Sequence, residues 1–367
     1  MLHLPLKSTE KVDLQKSLHR FIESAYSHEQ ADEHRDACAE VQTLRERVRQ
    51  ASFSDDNAAE TVTLLAHYYR LLTALATRFG DAVEDTDAPV TFVWRDAFKH
   101  SDKATSSDLR FERVCVVFNL AAAISYAGTQ QNRDEAEGLR DACQLFQQAA
   151  GAIEQLQALL AEAWHQAPAF TTDTHAKATA AWRSLMLAQA QQCYYEKARK
   201  DKMKAAVVSK LAAQVAQMCG EAASGLKSKE LKGHFDKWSV SLEWNQKLFE
   251  ALAQYHAADD HERAYEYGAQ VCRLEHAASL LADLMKASKH APAERHAVYA
   301  EAHARVSEAA VQAARLNSTV YTERVPPLAT LPPIEPKSIV KPMGVPELQS
   351  KPREGGAATS GGGGGGG

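Results

Sequence analysis

Leu185-Met186-Leu187-Ala188-Gln189-Ala190-Gln191-Gln192-Cys193-Tyr194-Tyr195-Glu196-Lys197-Ala198-Arg199-Lys200-Asp201-Lys202-Met203-Lys204 contains neither glycine nor proline. Fifteen of its 20 residues are Leu, Met, Ala, Gln, Lys or Arg, the side chains that lose least on entering a helix. Downstream, Val207 and Leu211 stand four apart, and Met203 stands four before Val207, so on one continuous helix the three share a face. Lys197, Arg199, Lys200, Lys202, Lys204 and Lys210 flank that apolar stripe. Read alone, the stripe is the core-facing side of an ordinary helix and the cations are its solvated side.

The same character extends in both directions. Of 18 glycines and 12 prolines, ten and eight respectively lie after position 325, which leaves the first 317 residues almost free of breakers. A chain so rich in Ala, Leu, Gln, Glu and Lys is helical by propensity. Ser54-Asp55-Asp56-Asn57 supplies N-caps for a helix carrying Val62, Leu65, Tyr68, Leu72 and Leu75 and closing at Gly80. Pro89-Val90-Thr91-Phe92-Val93-Trp94 is the one convincing strand, β-branched and aromatic. Helix resumes at about Ser107, runs to Tyr126, restarts after Asn132-Arg133-Asp134 and continues to about Trp164, where Ala167-Pro168 breaks it. Further helices are expected at roughly 173–198, 201–223, 228–257, 260–288 and 293–316. Tyr255 to Ala269 has the small residues of a tetratricopeptide-type helical hairpin, or of an ordinary one. From Val325 to Pro352 the chain is Pro-rich yet keeps Leu328, Leu331, Ile334, Ile339 and Val340, the composition of an extended arm lying on the body. The expected division is a domain over 1–348 and a flexible Gly/Ser-rich tail over 349–367.

Composition removes several function classes. A net charge of −5 argues against nucleic acid as partner. No stretch approaches 18 uninterrupted apolar residues and no signal-peptide pattern opens the chain, so a soluble intracellular protein is expected. The six cysteines, at 38, 115, 143, 193, 219 and 272, form no C-x-x-C pair and read as buried thiols. Cys193 has basic neighbours that would lower a thiol pKa if it were exposed to them. There is no G-x-S-x-G elbow, phosphate loop or H-E-x-x-H helix. His28 and His34 fall out of phase on a helix, and no carboxylate pair stands in an apolar window. No catalytic residue, metal, cofactor or small-molecule substrate is expected.

The stretch Leu185 to Lys204 resembles the core motif of Bro1 domains. Other segments agree in order: Phe92-Val93-Trp94-Arg95-Asp96-Ala97-Phe98, Phe111 to Ala122, Glu137-Gly138-Leu139, Tyr267-Gly268, Arg273 to Ala278, and Val320-Tyr321 with Arg324-Val325-Pro326. The resemblance covers roughly residues 3–348 and looks nearest to the animal Alix-type members. It implies an all-α, elongated, boomerang-shaped helical array with a tetratricopeptide-like core and a small β element near the N-terminal third. It also implies a non-catalytic adaptor, cytoplasmic and recruited to endosomes, that binds the C-terminal amphipathic helix of a Snf7/CHMP4-class ESCRT-III subunit. The alternative is a peripheral scaffold that uses the cations around Lys204 on an acidic membrane surface.

Carried onto this chain, the family's docking patch falls on Tyr194, Val207 and Leu211, bordered by Leu139, Arg140 and Ile339, with Met203 and Lys204 adjacent. Ala136 stands where the family has an acidic residue, with Glu135 and Glu137 beside it. Tyr321 matches a tyrosine that some members present for phosphorylation, although Thr319-Val320-Tyr321-Thr322 lacks the acidic flank. The patch carries a structural condition. Thirteen helical residues put Tyr194 about 140° away from Val207, so the two share a surface only if the helix breaks between them. Asp201 is a suitable N-cap, and a tight reversal near Lys200-Asp201 is therefore expected.

Overall fold

The break is there. In the computed structural model, which describes residues 1–54, 57–79, 90–162, 164 and 168–349, one helix ends at Lys200 and the next begins at Ala205. The order is α1 (Leu14–Ala25), α2 (His28–Glu33), α3 (Arg35–Gln50), α4 (Ala58–Phe79), β1 (Phe92–Arg95), β2 (Lys103–Ser106), α5 (Leu109–Thr129) and α6 (Ala136–Ala161). Then come α7 (Ala176–Lys200), α8 (Ala205–Leu226), α9 (Asp236–Arg263), α10 (Tyr267–Ala287), α11 (Ala293–Leu316) and a last short turn, α12 (Pro346–Gln349). From α4 to α11 each long helix packs on the next, so the array grows by antiparallel hairpins.

The strand reading is corrected by addition. β1 needs a hydrogen-bonding partner, and the polar segment Lys103–Ser106 supplies it, with Phe92 opposite Ser106 and Arg95 opposite Lys103. On its other edge β1 receives the N-terminal segment, where Arg95 N donates to Ser8 O and Glu10 N to Val93 O. The inward face holds Phe92 and Trp94, both fully buried. Trp94 Nε1 donates to Glu112 Oε2 at 2.5 Å, Tyr68 Oη donates to Glu112 Oε1 at 3.0 Å, and Arg45 lies 3.4 Å from the same carboxylate.

Other boundaries shift for local reasons. The break expected between helices at roughly 228–257 and 260–288 falls later, at Ala264–Glu266, where Tyr265 takes a left-handed conformation with φ +62°. The caps at Asp55-Asp56, the stop at Gly80 and the break at Ala167 lie outside the described residues, as does nearly all of 349–367. No described helix is an uninterrupted apolar run of 18 residues, since even α5 carries Arg110, Glu112, Arg113 and Asn119. By length and mean hydropathy, 1.2, α5 is still apolar enough to cross a membrane, and 94% of that window is buried inside the protein. Its apolarity serves the core, with fully buried Phe111, Val114, Val116, Val117 and Leu120 facing helices on both sides.

The N-terminal segment is anchored by a buried ion pair. Lys7 Nζ donates to Asp173 Oδ2 at 2.6 Å, Asp173 Oδ1 at 2.8 Å and Thr171 Oγ1 at 2.7 Å. Asp173 also accepts Ala97 N at 2.7 Å, so one carboxylate joins the chain start, the β element and the approach to α7. The pair is hydrogen-bonded at every turn, which is the condition for a buried charge to be tolerated.

Candidate functional site

The turn between α7 and α8 is a Schellman closure. Met203 N donates to Ala198 O at 3.0 Å and Lys202 N to Arg199 O at 3.1 Å, with Lys202 in the left-handed region at φ +51°. Asp201 therefore caps the C-terminus of α7 and receives Lys197 Nζ at 2.6 Å; it is not the N-cap of α8. Lys204 takes that position without a side-chain cap bond. Because α8 starts at Ala205, Met203 lies in the turn and does not extend the Val207–Leu211 face; it stands 48% exposed beside it.

The long segment after α11 becomes a strap. It leaves through a π-helical turn at Asn317–Tyr321 and a left-handed Thr322. Gly268 N on α10 donates to Glu323 Oε2 at 2.7 Å, and Arg273 Nη2, also from α10, to Pro332 O at 2.7 Å. On α8, Lys210 O accepts Lys337 N at 3.2 Å. On α7, the Gln191 amide grips both sides of the crossing, giving Nε2 to Lys337 O at 2.9 Å and accepting Ile339 N at 3.2 Å. On α6, Gln147 accepts Lys341 N through its side chain and Met343 N through its backbone carbonyl, at 3.2 and 2.9 Å. A strap with no strand partner thus has its backbone polar groups matched by glutamines aimed from the helices it crosses.

Between α6 and α7, with Met343 of the strap at one side, lies a groove of about 670 Å³ lined by Leu139, Arg140, Cys143, Gln147, Tyr194 and Lys197 among others. The loop before α6 is tied to the end of α7: Arg133 Nη1 reaches both Glu196 oxygens at 2.7 and 3.0 Å, and Lys200 Nζ donates to Arg133 O and Asp134 O at 2.6 and 2.9 Å. The walls are apolar and the rim is charged. Arg140 pairs with Glu137 at 3.4 Å and with Asp141 at 3.6 Å, all three side chains being exposed.

The residues expected from the resemblance divide into two kinds. Tyr194 (37% exposed), Leu139 and Arg140 meet in the groove, and Ile339 (43% exposed) crosses α7 three residues upstream of Tyr194, through its bond to Gln191. Val207 is half-buried against the core and Leu211 is 3% exposed, so α8 contributes mainly support. Cys143, Gln147 and Met343 were not expected. Glutamines at 147 and 191 in otherwise apolar helix faces were the available signal. The lowered thiol considered for Cys193 is contradicted: burial pushes it well up, and Cys143 up to about 11. Tyr321 stacks face to face on Tyr267, with centroids 3.4 Å apart and planes within 6°. That contact pushes the Tyr267 phenol up to about 12, chiefly through its hydrogen bond with Tyr321.

The family model for the BRO1-like domain matches residues 1–358. The chain belongs to that family. Among curated relatives, the BRO1-like chain is 31% identical over 350 residues to ALG-2 interacting protein X of Dictyostelium discoideum, covering 95% of this chain and 43% of that one. It is 32% identical over 356 residues to vacuolar-sorting protein BRO1 of Arabidopsis thaliana, covering 96% and 42%. The chain thus spans about two-fifths of the length of these relatives. Among solved structures it superposes on the BRO1 domain of ALIX in its complex with CHMP4C, with TM-score 0.82, 28% identity and coverage of 94% of this chain and 95% of that one. The all-α, boomerang-shaped array with its small β element is therefore the fold.

Proposed function

We propose that this BRO1-like chain is a non-catalytic adaptor of endosomal sorting that docks the C-terminal amphipathic helix of a Snf7/CHMP4-class ESCRT-III subunit, and that it acts in the cytoplasm and on endosomes. The observation that carries the reading is the groove between α6 and α7, apolar within, rimmed by Arg140 and Lys197 and with exposed Tyr194 on its wall; Ile339 and Met203 are exposed as well. An amphipathic helix supplies what such a surface lacks: an apolar face for the groove and carboxylates for the cations of the rim. Likeness to the ALIX BRO1 structure with CHMP4C supports the same partner class. Val207 and Leu211 act in this reading as the support beneath Tyr194, and Lys204 as part of the cationic rim.

The test is titration of a fluorescein-labelled acidic amphipathic C-terminal peptide of that class against wild type and Tyr194→Asp. Wild type binds in the micromolar range, and the variant, carrying a carboxylate on the groove wall, binds at least about tenfold more weakly with unchanged thermal stability. Equal affinities would sink the site. Binding to anionic liposomes in place of the peptide would favour the membrane-scaffold reading of the cations around Lys204. Phosphorylation at Tyr321, in the same proposal, requires that its ring first leave the stack on Tyr267.

A further inference from the structure

Gly151 sits mid-way along α6, where glycine weakens a helix relative to alanine. A Cβ built there would overlap the carbonyl of Met343, with the backbone of the strap itself as the obstacle. No flexible side chain can yield at that point, so the residue is a notch in which the strap is seated. Met343 N is held on the same helix by Gln147 O at 2.9 Å, one turn earlier. The seated residue is the one that lines the groove beside Leu139, Cys143 and Tyr194.

We propose that the strap from Lys337 to Val345 is the third wall of the docking groove, that Met343 sets the size of apolar side chain the groove accepts, and that Gly151 is the positioning residue that holds this wall. This rests on the reading of the groove as the docking site for an acidic amphipathic helix. The two helices alone leave the groove open along one side, and an open apolar trough buries less of a guest side chain than a walled one. The three anchors Gln191, Gln147 and Gly151 fix Ile339 and Met343 relative to Tyr194, so both ends of the apolar surface move with the strap.

The experiment uses the full chain and two readouts, hydrogen–deuterium exchange and titration of the fluorescein-labelled peptide. In Gly151→Ala the amides of Lys341 and Met343 lose protection, α7 keeps its own, and the peptide binds about tenfold more weakly. Met343→Ala leaves strap protection intact and weakens binding through the missing side chain. Gly225→Ala on α8, whose added methyl would make only an ordinary contact at 3.4 Å with Ala181, reproduces wild type in both readouts and controls for helix propensity. Wild-type affinity in Met343→Ala, or in Gly151→Ala with strap protection lost, overturns the wall. Unchanged strap protection in Gly151→Ala overturns the notch. If wild type itself fails to bind, the docking reading falls and the wall with it, while exchange alone still decides the notch.

Discussion

Leu211→Asp is the substitution that the sequence motif invites as a test of docking, and the structure makes it a test of folding. The side chain is 3% exposed and belongs to the main core. Truncation of such a leucine alone removes about 2–5 kcal/mol. The new carboxylate must then stay ionised without a partner or hold a proton at neutral pH; a rise of about 3 pKa units corresponds to about 4 kcal/mol. The sum is at least about 6 kcal/mol, comparable with the whole stability of a typical domain, about 5–15 kcal/mol. Urea denaturation followed by far-ultraviolet circular dichroism should show a collapsed midpoint or no cooperative transition. Tyr194→Asp, at an exposed position, should shift stability by no more than about 0.5 kcal/mol. The burial argument is refuted if Leu211→Asp keeps the wild-type midpoint while losing the peptide, because the side chain would then have to face the partner directly.

Three further outcomes are expected. Asp173→Ala strands the buried Lys7 ammonium and should destabilise the chain by about 3–5 kcal/mol in urea, whereas Lys7→Met with Asp173→Leu should recover much of the loss. His256, between α7 and α9, is held down to about 4, first by burial and then by Arg199 and Arg305. The unfolded histidine, near 6.5, binds the proton more readily, so stability is present above pH 6.5 and falls by up to about 3 kcal/mol as pH drops toward 4. His256→Gln should flatten the urea midpoint over that window, and an unchanged slope would refute the assignment. Cys143 and Cys193, both raised by burial, should react with iodoacetamide at pH 8 far more slowly than the unfolded chain does; equal rates would mean that the groove opens.

Much of this fold was legible because its helices are long, breaker-poor and amphipathic or wholly buried. The reversal at Asp201 was legible from the resemblance and helix phase together, since a patch holding both Tyr194 and Val207 cannot form on one continuous helix. Its chemistry was not: Lys202 adopts a left-handed conformation that composition gives no reason to assign to lysine. β2 escaped because Lys103–Ser106 is short and polar, a strand only by virtue of β1 beside it. At the site, the resemblance supplied Tyr194, Leu139, Arg140 and Ile339, but which of them are open and which are supporting depends on packing between segments far apart in sequence. Leu211 and Met203 carry similar apolar side chains; one is in the core and the other in a turn. Gly151 carries no signal in the sequence, and only the strap passing over it gives the position a role.

The strap also alters how the array can come apart. A stack of helical hairpins in which each helix meets only its neighbours behaves as a one-dimensional chain and frays from its open end. Here a single extended segment leaves the terminal hairpin at Gly268 and is tied in turn to α8, α7 and α6 before its last turn rests on α4. Loosening α11 therefore pulls on contacts five helices away, and the cooperative unit becomes the loop from α4 to α12 rather than the hairpin. A segment with little secondary structure of its own is thus the one that ties separate hairpins into one melting unit.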